Sequence, residues 1–153
     1  MVVGKIMRLA LYQPEIPQNT GTLIRLAACL GVPLDIIEPC GFIWNDKKLE
    51  RAGMDYIELA NVTRYCSYAS FRDALPHRLV LIDTKGETAY HNFKFQPNDI
   101  LMLGQESVGV PEFVFSDIPD RVVIPMQSGA RSLNVAIAGA MVLSEALRQC
   151  SGK

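Results

Sequence analysis

The sequence lacks the spacing of cysteine and histidine that a structural metal site needs. Its 153 residues include two histidines and four cysteines, and no two cysteines form a C-x-x-C pair. Zinc sites in proteins depend on such short spacings. We therefore expect no bound metal and four reduced thiols, with Cys29 buried on a helix face. These cysteines are Cys29, Cys40, Cys66 and Cys150.

The chain also lacks a long apolar run and a strong excess of charge. No apolar stretch reaches the roughly 18 residues that a membrane span requires. The apolar run in MVVGKIM is too short for a signal peptide, so we expect a cytoplasmic protein. A net charge of -1 argues weakly against binding of nucleic acid by bulk electrostatics. An RNA partner would need a local basic cluster or a second subunit. Candidate phosphate contacts, which a solvated surface explains equally well, are Lys47, Lys48, Arg51, Arg64 and Arg131.

Several common catalytic motifs are missing as well. The sequence contains no G-x-x-x-x-G-K-[ST], no G-x-G-x-x-G after a strand, no H-E-x-x-H and no G-x-S-x-G. These motifs carry phosphate binding, dinucleotide binding, zinc hydrolysis and esterase chemistry respectively. NTPase, nicotinamide, zinc-hydrolase and esterase functions are therefore excluded.

Apolar patterning instead predicts one α/β domain over residues 1–153. Continuous apolar runs at residues 79–82, 100–103 and 122–124 are typical of parallel strands buried on both faces. Further strands are predicted at residues 9–12, 34–37 and 56–59. Helices are predicted after a cap at Asn19 or Thr20 as far as Gly31, over residues 44–52 and over residues 70–75. The alternation favours a mostly parallel sheet with helices on both faces.

The last predicted helix, residues 133–148, is apolar nearly all round. A helix of this kind is buried on more than one side, and Gly139 allows close approach of a neighbour. The sheet and a second subunit together would cover it, which predicts a dimer. The alternative is a central helix in a monomer.

Three polar loops follow or precede these apolar elements: PEIPQNTGTLIR, LGQESVGVPEF and IPMQSGARSLN. Gly104 ends a buried strand, where a glycine lets a flat ligand approach the backbone. Each loop also has a purely structural interpretation. Arg25 would pair with a nearby acid, Ser132 would cap the last helix, and Asn134 would be an ordinary residue of its first turn. Three such loops after three buried strands together favour a binding site.

The three loops resemble the signature motifs of the SPOUT class of RNA ribose 2′-O-methyltransferases. The short chain and the phrase IIEPCGFIWNDKKLERAGMDY resemble in particular the TrmL-type members. Those enzymes methylate the ribose of the wobble nucleotide, cytidine or uridine 34, of leucine tRNAs. The resemblance extends from about Arg8 to Arg148 and includes no appended RNA-binding domain.

The resemblance implies a deep trefoil knot in the carboxyl-terminal part, one of the exceptions to unknotted topology. It implies that the knot binds S-adenosylmethionine and that a homodimer packs through its first and last helices. The implied cofactor-binding residues are Ile82, Gly104, Ile124, Met126, Ser132 and Leu133. The implied catalytic residues are Asn19, Arg25, Glu106, Ser132 and Asn134.

The role of Arg25 needs a physical argument. Proposals for the family make this arginine a base, but a guanidinium group keeps its proton up to a pH above about 12. We expect Arg25 to bind the adjoining phosphate and to stabilise the developing alkoxide. Glu106 and Asn134 are expected to position other groups, and Ser144 stands where some members have a tyrosine. Three alternatives stay open: ribose methylation at another tRNA position or in rRNA, a catalytically silent RNA-binding module, and a flavodoxin-like nucleotide binder without a knot.

Overall fold

The apolar runs lie side by side in one parallel sheet. The computed structural model describes residues 6–44, 49, 56 and 59–151. Within these residues the sheet has seven strands, which are β1 (Arg8–Tyr12), β2 (Leu34–Ile37), β3 (Val62–Tyr65), β4 (Leu79–Ile82), β5 (Thr88–Ala89), β6 (Ile100–Leu103) and β7 (Arg121–Val123). Their order is β3-β2-β1-β6-β4-β7-β5, and every pair of neighbours is parallel. The predicted α/β class is confirmed.

Helices cover both faces of this sheet. They are α1 (Pro17–Leu30), α2 (Tyr68–Ala74), α3 (Glu112–Asp117) and α4 (Val135–Cys150), with a short 3-10 helix at Tyr90–Asn92. Along β1, Leu9 and Leu11 belong to the hydrophobic core that contains α1 and α4. Ala10 and Tyr12 belong to a second core that contains α2 and α3. Because successive side chains of a strand point to opposite faces, the two cores lie on opposite sides of the sheet.

One predicted strand is wrong and one predicted helix lies mostly outside the described residues. In the range 56–59, Tyr56 and Leu59 form a turn, in which the Leu59 N–H donates to the Tyr56 carbonyl oxygen at 3.0 Å. The third strand is β3, which pairs with β2 at the edge of the described sheet and is mostly half-buried. A half-buried edge strand carries little apolar signal. Of the predicted helix at 44–52, only Trp44 and Leu49 are described, and Lys47, Lys48 and Arg51 are not.

Helix α1 begins earlier than its sequence predicts. Pro17 occupies the first turn, where its missing N–H costs no hydrogen bond, and Ile16 precedes it without a side-chain cap. The prediction that Asn19 or Thr20 caps this helix is therefore wrong. Its predicted end is confirmed, since Gly31 has a left-handed φ of 68°. The buried stripe ends with Ala27, and Cys29 lies about 200° around the helix from it, so Cys29 is exposed and not buried as predicted.

Helix α4 packs tightly against the sheet and against α1. It starts two residues later than predicted, and Asn134, not Ser132, is its cap: the Asn134 Oδ1 accepts from the N–H groups of Ala136 at 2.8 Å and Ile137 at 3.2 Å. A Cβ on Gly139 would lie 2.8 Å from a Leu103 methyl group and 3.0 Å from one of Leu23. The glycine therefore permits the close approach. Within the described residues, no helix is long and apolar enough to cross a membrane.

Candidate active site

The turns after β4, β6 and β7 converge on a cavity of about 640 Å³. The first residues of α1 and α4 complete its wall. Because all strands run in parallel, their carboxyl ends meet at one edge of the sheet, where ligands of open α/β folds bind. All six residues expected to bind a cofactor line this cavity: Ile82, Gly104, Ile124, Met126, Ser132 and Leu133.

One wall of the cavity depends on a close approach of two backbone segments. A Cβ on Gly104 would lie 2.6 Å from the carbonyl carbon of Gly109. The Gln105 N–H donates to the Gly109 oxygen at 2.8 Å, and the Gly109 N–H donates back at 2.9 Å. Gly109 adopts a left-handed φ of 71°, which a glycine tolerates without strain. Residues 104–109 thus form a tight loop along this wall of the cavity.

A chain of hydrogen bonds joins three of the expected catalytic residues. The Glu106 carboxylate accepts from the N–H groups of Glu15 at 2.9 Å and Ile16 at 3.1 Å, and from the Asn19 amide at 3.3 Å. The Asn19 Oδ1 accepts in turn from the Asn134 Nδ2 at 3.0 Å. The structure therefore brings Glu106, Asn19 and Asn134 together and ties the loops after β1 and β6 to the start of α4. Ser132 lines the same cavity.

Arg25 does not lie with these residues. Its side chain is exposed on α1 and its guanidinium carbon lies 4.7 Å from the centre of the Tyr56 ring. Arg25 follows Asn19 by six residues, so the two lie about 120° apart around the helix. Spacing along the sequence placed Arg25 near the loop but could not show on which side of the helix it lies. Its observed contact is a cation–π interaction rather than the ion pair considered from the sequence.

Three residues of or near the cavity were not singled out from the sequence. Asp83 directly follows β4 and lines the cavity, and its carboxylate accepts from the Lys85 N–H at 2.8 Å. Ser107 lines it too, and Glu15 lies behind Ser107. The position of Asp83 at the carboxyl end of a buried strand was the available signal. No sequence pattern pointed to Glu15 or Ser107, because their contact joins loops that lie 92 residues apart in the chain.

Of the candidate phosphate contacts, Arg131 and Arg64 are described. Arg131 is exposed and lines the cavity, where it places a positive charge at the opening. Arg64 is engaged elsewhere: its Nε donates to the Glu38 carboxylate at 2.8 Å, and its guanidinium lies 4.6 Å from the Trp44 ring centre. Arg131 is thus the better placed of the two for a ligand of the cavity.

The sequence model of the SpoU rRNA Methylase family matches residues 6–144, a span that contains all three loops of the cavity. The chain belongs to this family. The resemblance seen in the three loop motifs is thereby confirmed.

Individual relatives of the SpoU family extend the comparison. A curated protein from Beijerinckia indica subsp. indica, named tRNA (cytidine(34)-2'-O)-methyltransferase, is 54% identical over 144 residues, which are 92% of this chain and 90% of that one. A solved structure that concerns 2-OH methylation of C/U34 on tRNA has 42% identity and a TM-score of 0.91, covering 98% of this chain and 100% of the other. The methyltransferase AviRb from Streptomyces viridochromogenes, solved in complex with AdoMet, has 26% identity and a TM-score of 0.87, over 97% of this chain and 59% of AviRb.

Proposed function

We propose that this chain transfers a methyl group from S-adenosylmethionine to the ribose 2′-hydroxyl of nucleotide 34, a cytidine or uridine, of tRNA. The observation that carries the proposal is the single cavity where the turns after β4, β6 and β7 meet. That cavity holds the expected cofactor residues together with Glu106, Asn19 and Asn134. The similarity of the whole chain to a relative named for this reaction supports the choice of nucleotide.

The cavity suits a nucleoside cofactor in size and chemistry. Its volume of about 640 Å³ lies within the roughly 300–1,000 Å³ of small-molecule sites. Apolar strand ends at Ile82, Leu103 and Ile124 supply surfaces for a flat base, and the loop that follows Gly104 supplies backbone donors and acceptors. When bound, S-adenosylmethionine supplies a methyl group on a positively charged sulfur, which needs no further activation as a donor.

The chain's own task is then to orient the ribose and to stabilise the developing alkoxide while the hydroxyl proton passes to water. Asn19, Ser132 and Asn134 are the polar groups that we assign to orientation, and Glu106 holds Asn19 in place. Holding the reacting atoms in line is worth a large part of the rate in such transfers. Arg25 is exposed, so it is accessible to an RNA phosphate, and we assign it charge stabilisation rather than proton abstraction.

The homodimer is part of the proposal. Large apolar side chains on α1 and α4 that lie outside the cavity are exposed in the single chain, namely Leu30 and Ile137. Packing of these two helices against a second copy would bury them. The resemblance further implies a deep trefoil knot and leucine tRNAs as substrates. The sequence patterns predict a cytoplasmic location and one domain over residues 1–153.

The decisive experiment is nucleoside mass spectrometry of tRNA after incubation with the purified protein and S-adenosylmethionine. Transcripts of leucine tRNA are expected to gain one methyl group at nucleotide 34. A matched transcript with 2′-deoxycytidine at position 34 lacks the accepting hydroxyl and is expected to gain none. Methylation at another position or only in rRNA would refute the target. Binding of S-adenosylhomocysteine without methylation of any RNA would favour the catalytically silent module.

A second experiment tests the role of Arg25 in methylation. Arg25→Ala is expected to abolish methylation while calorimetry still detects S-adenosylhomocysteine, because the side chain lies outside the cavity lining. Loss of cofactor affinity in this variant would make Arg25 a structural residue.

A further inference from the structure

The carboxylates of Glu15 and Glu106 join the loop after β1 to the loop after β6 through hydrogen bonds. Glu106 accepts from the backbone N–H groups of Glu15 and Ile16. Glu15 reaches in the opposite direction: its Oε1 accepts from the Ser107 N–H at 2.9 Å and from the Ser107 hydroxyl at 2.8 Å. Each loop thus donates backbone N–H groups to a carboxylate of the other. Hydrogen bonds to charged acceptors are stronger than neutral ones, so this arrangement holds the two loops in register.

The two carboxylates differ in where they stand relative to the cavity. Glu106 and Ser107 line it, whereas Glu15 is not among the lining residues and is half-buried behind Ser107. The backbones of Glu15 and Gly41 approach closely, since a Cβ on Gly41 would lie 3.0 Å from the Glu15 Cα. The Gly41 N–H donates to the Pro14 oxygen at 2.9 Å and so anchors the residue before Glu15. Glu15 can therefore act on a ligand only through the position that it imposes on Ser107 and on the loop of residues 104–109.

We propose that Glu15 is a positioning residue, whose carboxylate fixes the cofactor-facing wall formed by residues 104–109 relative to the start of α1. The inference rests on the proposed methyl transfer and adds to it a residue outside the cavity. Glu106 belongs to the same wall and accepts a hydrogen bond from Asn19. A displacement of Ser107 therefore also moves the residues that we assign to orientation of the ribose. Loss of Glu15 loosens the cofactor wall without removing any group that touches the cofactor.

The expected effect of Glu15→Ala is a loss of cofactor affinity with a smaller loss of stability. Removal of two charge-assisted hydrogen bonds from a partly exposed loop corresponds to a roughly five- to twenty-fold weaker binding of S-adenosylhomocysteine. The kcat for tRNA methylation should fall, while the KM for tRNA should change less than two-fold, about the scatter of such measurements. A merely structural role would lower the melting temperature and leave the affinity of the folded protein unchanged.

A matched control exists on α3. The Glu112 carboxylate also accepts from a serine hydroxyl, that of Ser116 at 2.9 Å, but the pair is exposed and does not line the cavity. Glu112→Ala should leave both S-adenosylhomocysteine affinity and turnover unchanged. Glu15→Gln keeps an acceptor oxygen for Ser107 and should recover part of the affinity, and it serves as the second variant if Glu15→Ala folds poorly.

Calorimetry on the three variants and the unmodified chain separates the outcomes. The inference is supported if Glu15→Ala weakens the binding of S-adenosylhomocysteine, Glu15→Gln recovers part of it and Glu112→Ala leaves it unchanged. If the unmodified chain binds S-adenosylhomocysteine and Glu15→Ala binds it equally well, the positioning role is refuted and the proposed function stands. If the unmodified chain binds none, the proposed function and the inference both fail.

Discussion

Substitution of Gly104 by alanine tests the site at its tightest point. The added Cβ would lie 2.6 Å from the carbonyl carbon and 2.7 Å from the Cα of Gly109. The two segments must separate by about 0.8 Å to reach an ordinary contact, and overpacking of this kind costs about 1–3 kcal/mol. Neither neighbour is a flexible side chain that could turn away. The displacement must therefore be taken up by the backbone of residues 105–109.

That displacement opens the cavity wall more easily than it unfolds the chain. The hydrogen bonds between Gln105 and Gly109 oppose it, together with those of Glu106 and Ser107 to the loop after β1. The loop borders the cavity. If most of the strain is released in this way, S-adenosylhomocysteine must restore the wall when it binds. Its affinity then falls by roughly 5- to 150-fold. Isothermal titration calorimetry measures the affinity, and thermal unfolding measures the stability of the same sample.

Gly31→Ala provides the control for a general loss of stability. Gly31 has a left-handed φ of 68° and open space around its Cα, so alanine there is strained but meets no other atom. A strain of about 1 kcal/mol lowers the melting temperature of a chain of this size by roughly 2–4 °C. Its cofactor affinity should be unchanged. Equal affinities in Gly104→Ala and Gly31→Ala would refute the assignment of residues 104–109 as the cofactor wall.

Three further predictions follow from exposed or half-buried side chains. Arg131→Gln should weaken tRNA binding and reduce the slope of log K against log salt by about 1; an unchanged slope would remove Arg131 from the RNA interface. Ile137→Glu places a charge on an exposed apolar position of α4 and should give a monomer in sedimentation velocity, whereas a persistent dimer would place the interface elsewhere. Burial, together with the charge of Glu38, raises the pKa of Cys40 to about 11, so iodoacetamide at about pH 8 should alkylate the exposed Cys29 and Cys66 first. Mass spectrometry that finds Cys40 modified as fast would contradict this order.

Much of this fold could be predicted because its strands are buried on both faces. The runs at 79–82 and 100–103 are continuous in apolar residues, and each forms a strand. Parallel strands end at one edge, so the convergence of their loops followed without knowledge of any contact. The half-buried edge strand β3 was missed because its sequence, VTRY, carries no such run.

The details of the site depended on contacts between distant loops. Asn134 could equally have been a first-turn residue, and only the structure shows that its oxygen caps α4 while its amide meets Asn19. The hydrogen bonds between Glu15 and Ser107 could not be predicted from the sequence, because neither residue occupies a position where a turn or helix requires its residue type. The side of α1 on which Arg25 lies depended on where the helix begins, which Pro17 sets earlier than expected.

The bond between Asn134 and Asn19 spans 115 residues of a chain of 153. Contacts of such long range are slow to form, since the intervening chain must first be brought to order. During synthesis, β1 and α1 therefore form before α4 is available, and their side of the pocket stays exposed until α4 has left the ribosome. A nascent chain that stops short of residue 134 lacks the side chain that joins the start of α4 to Asn19, so its pocket stays open.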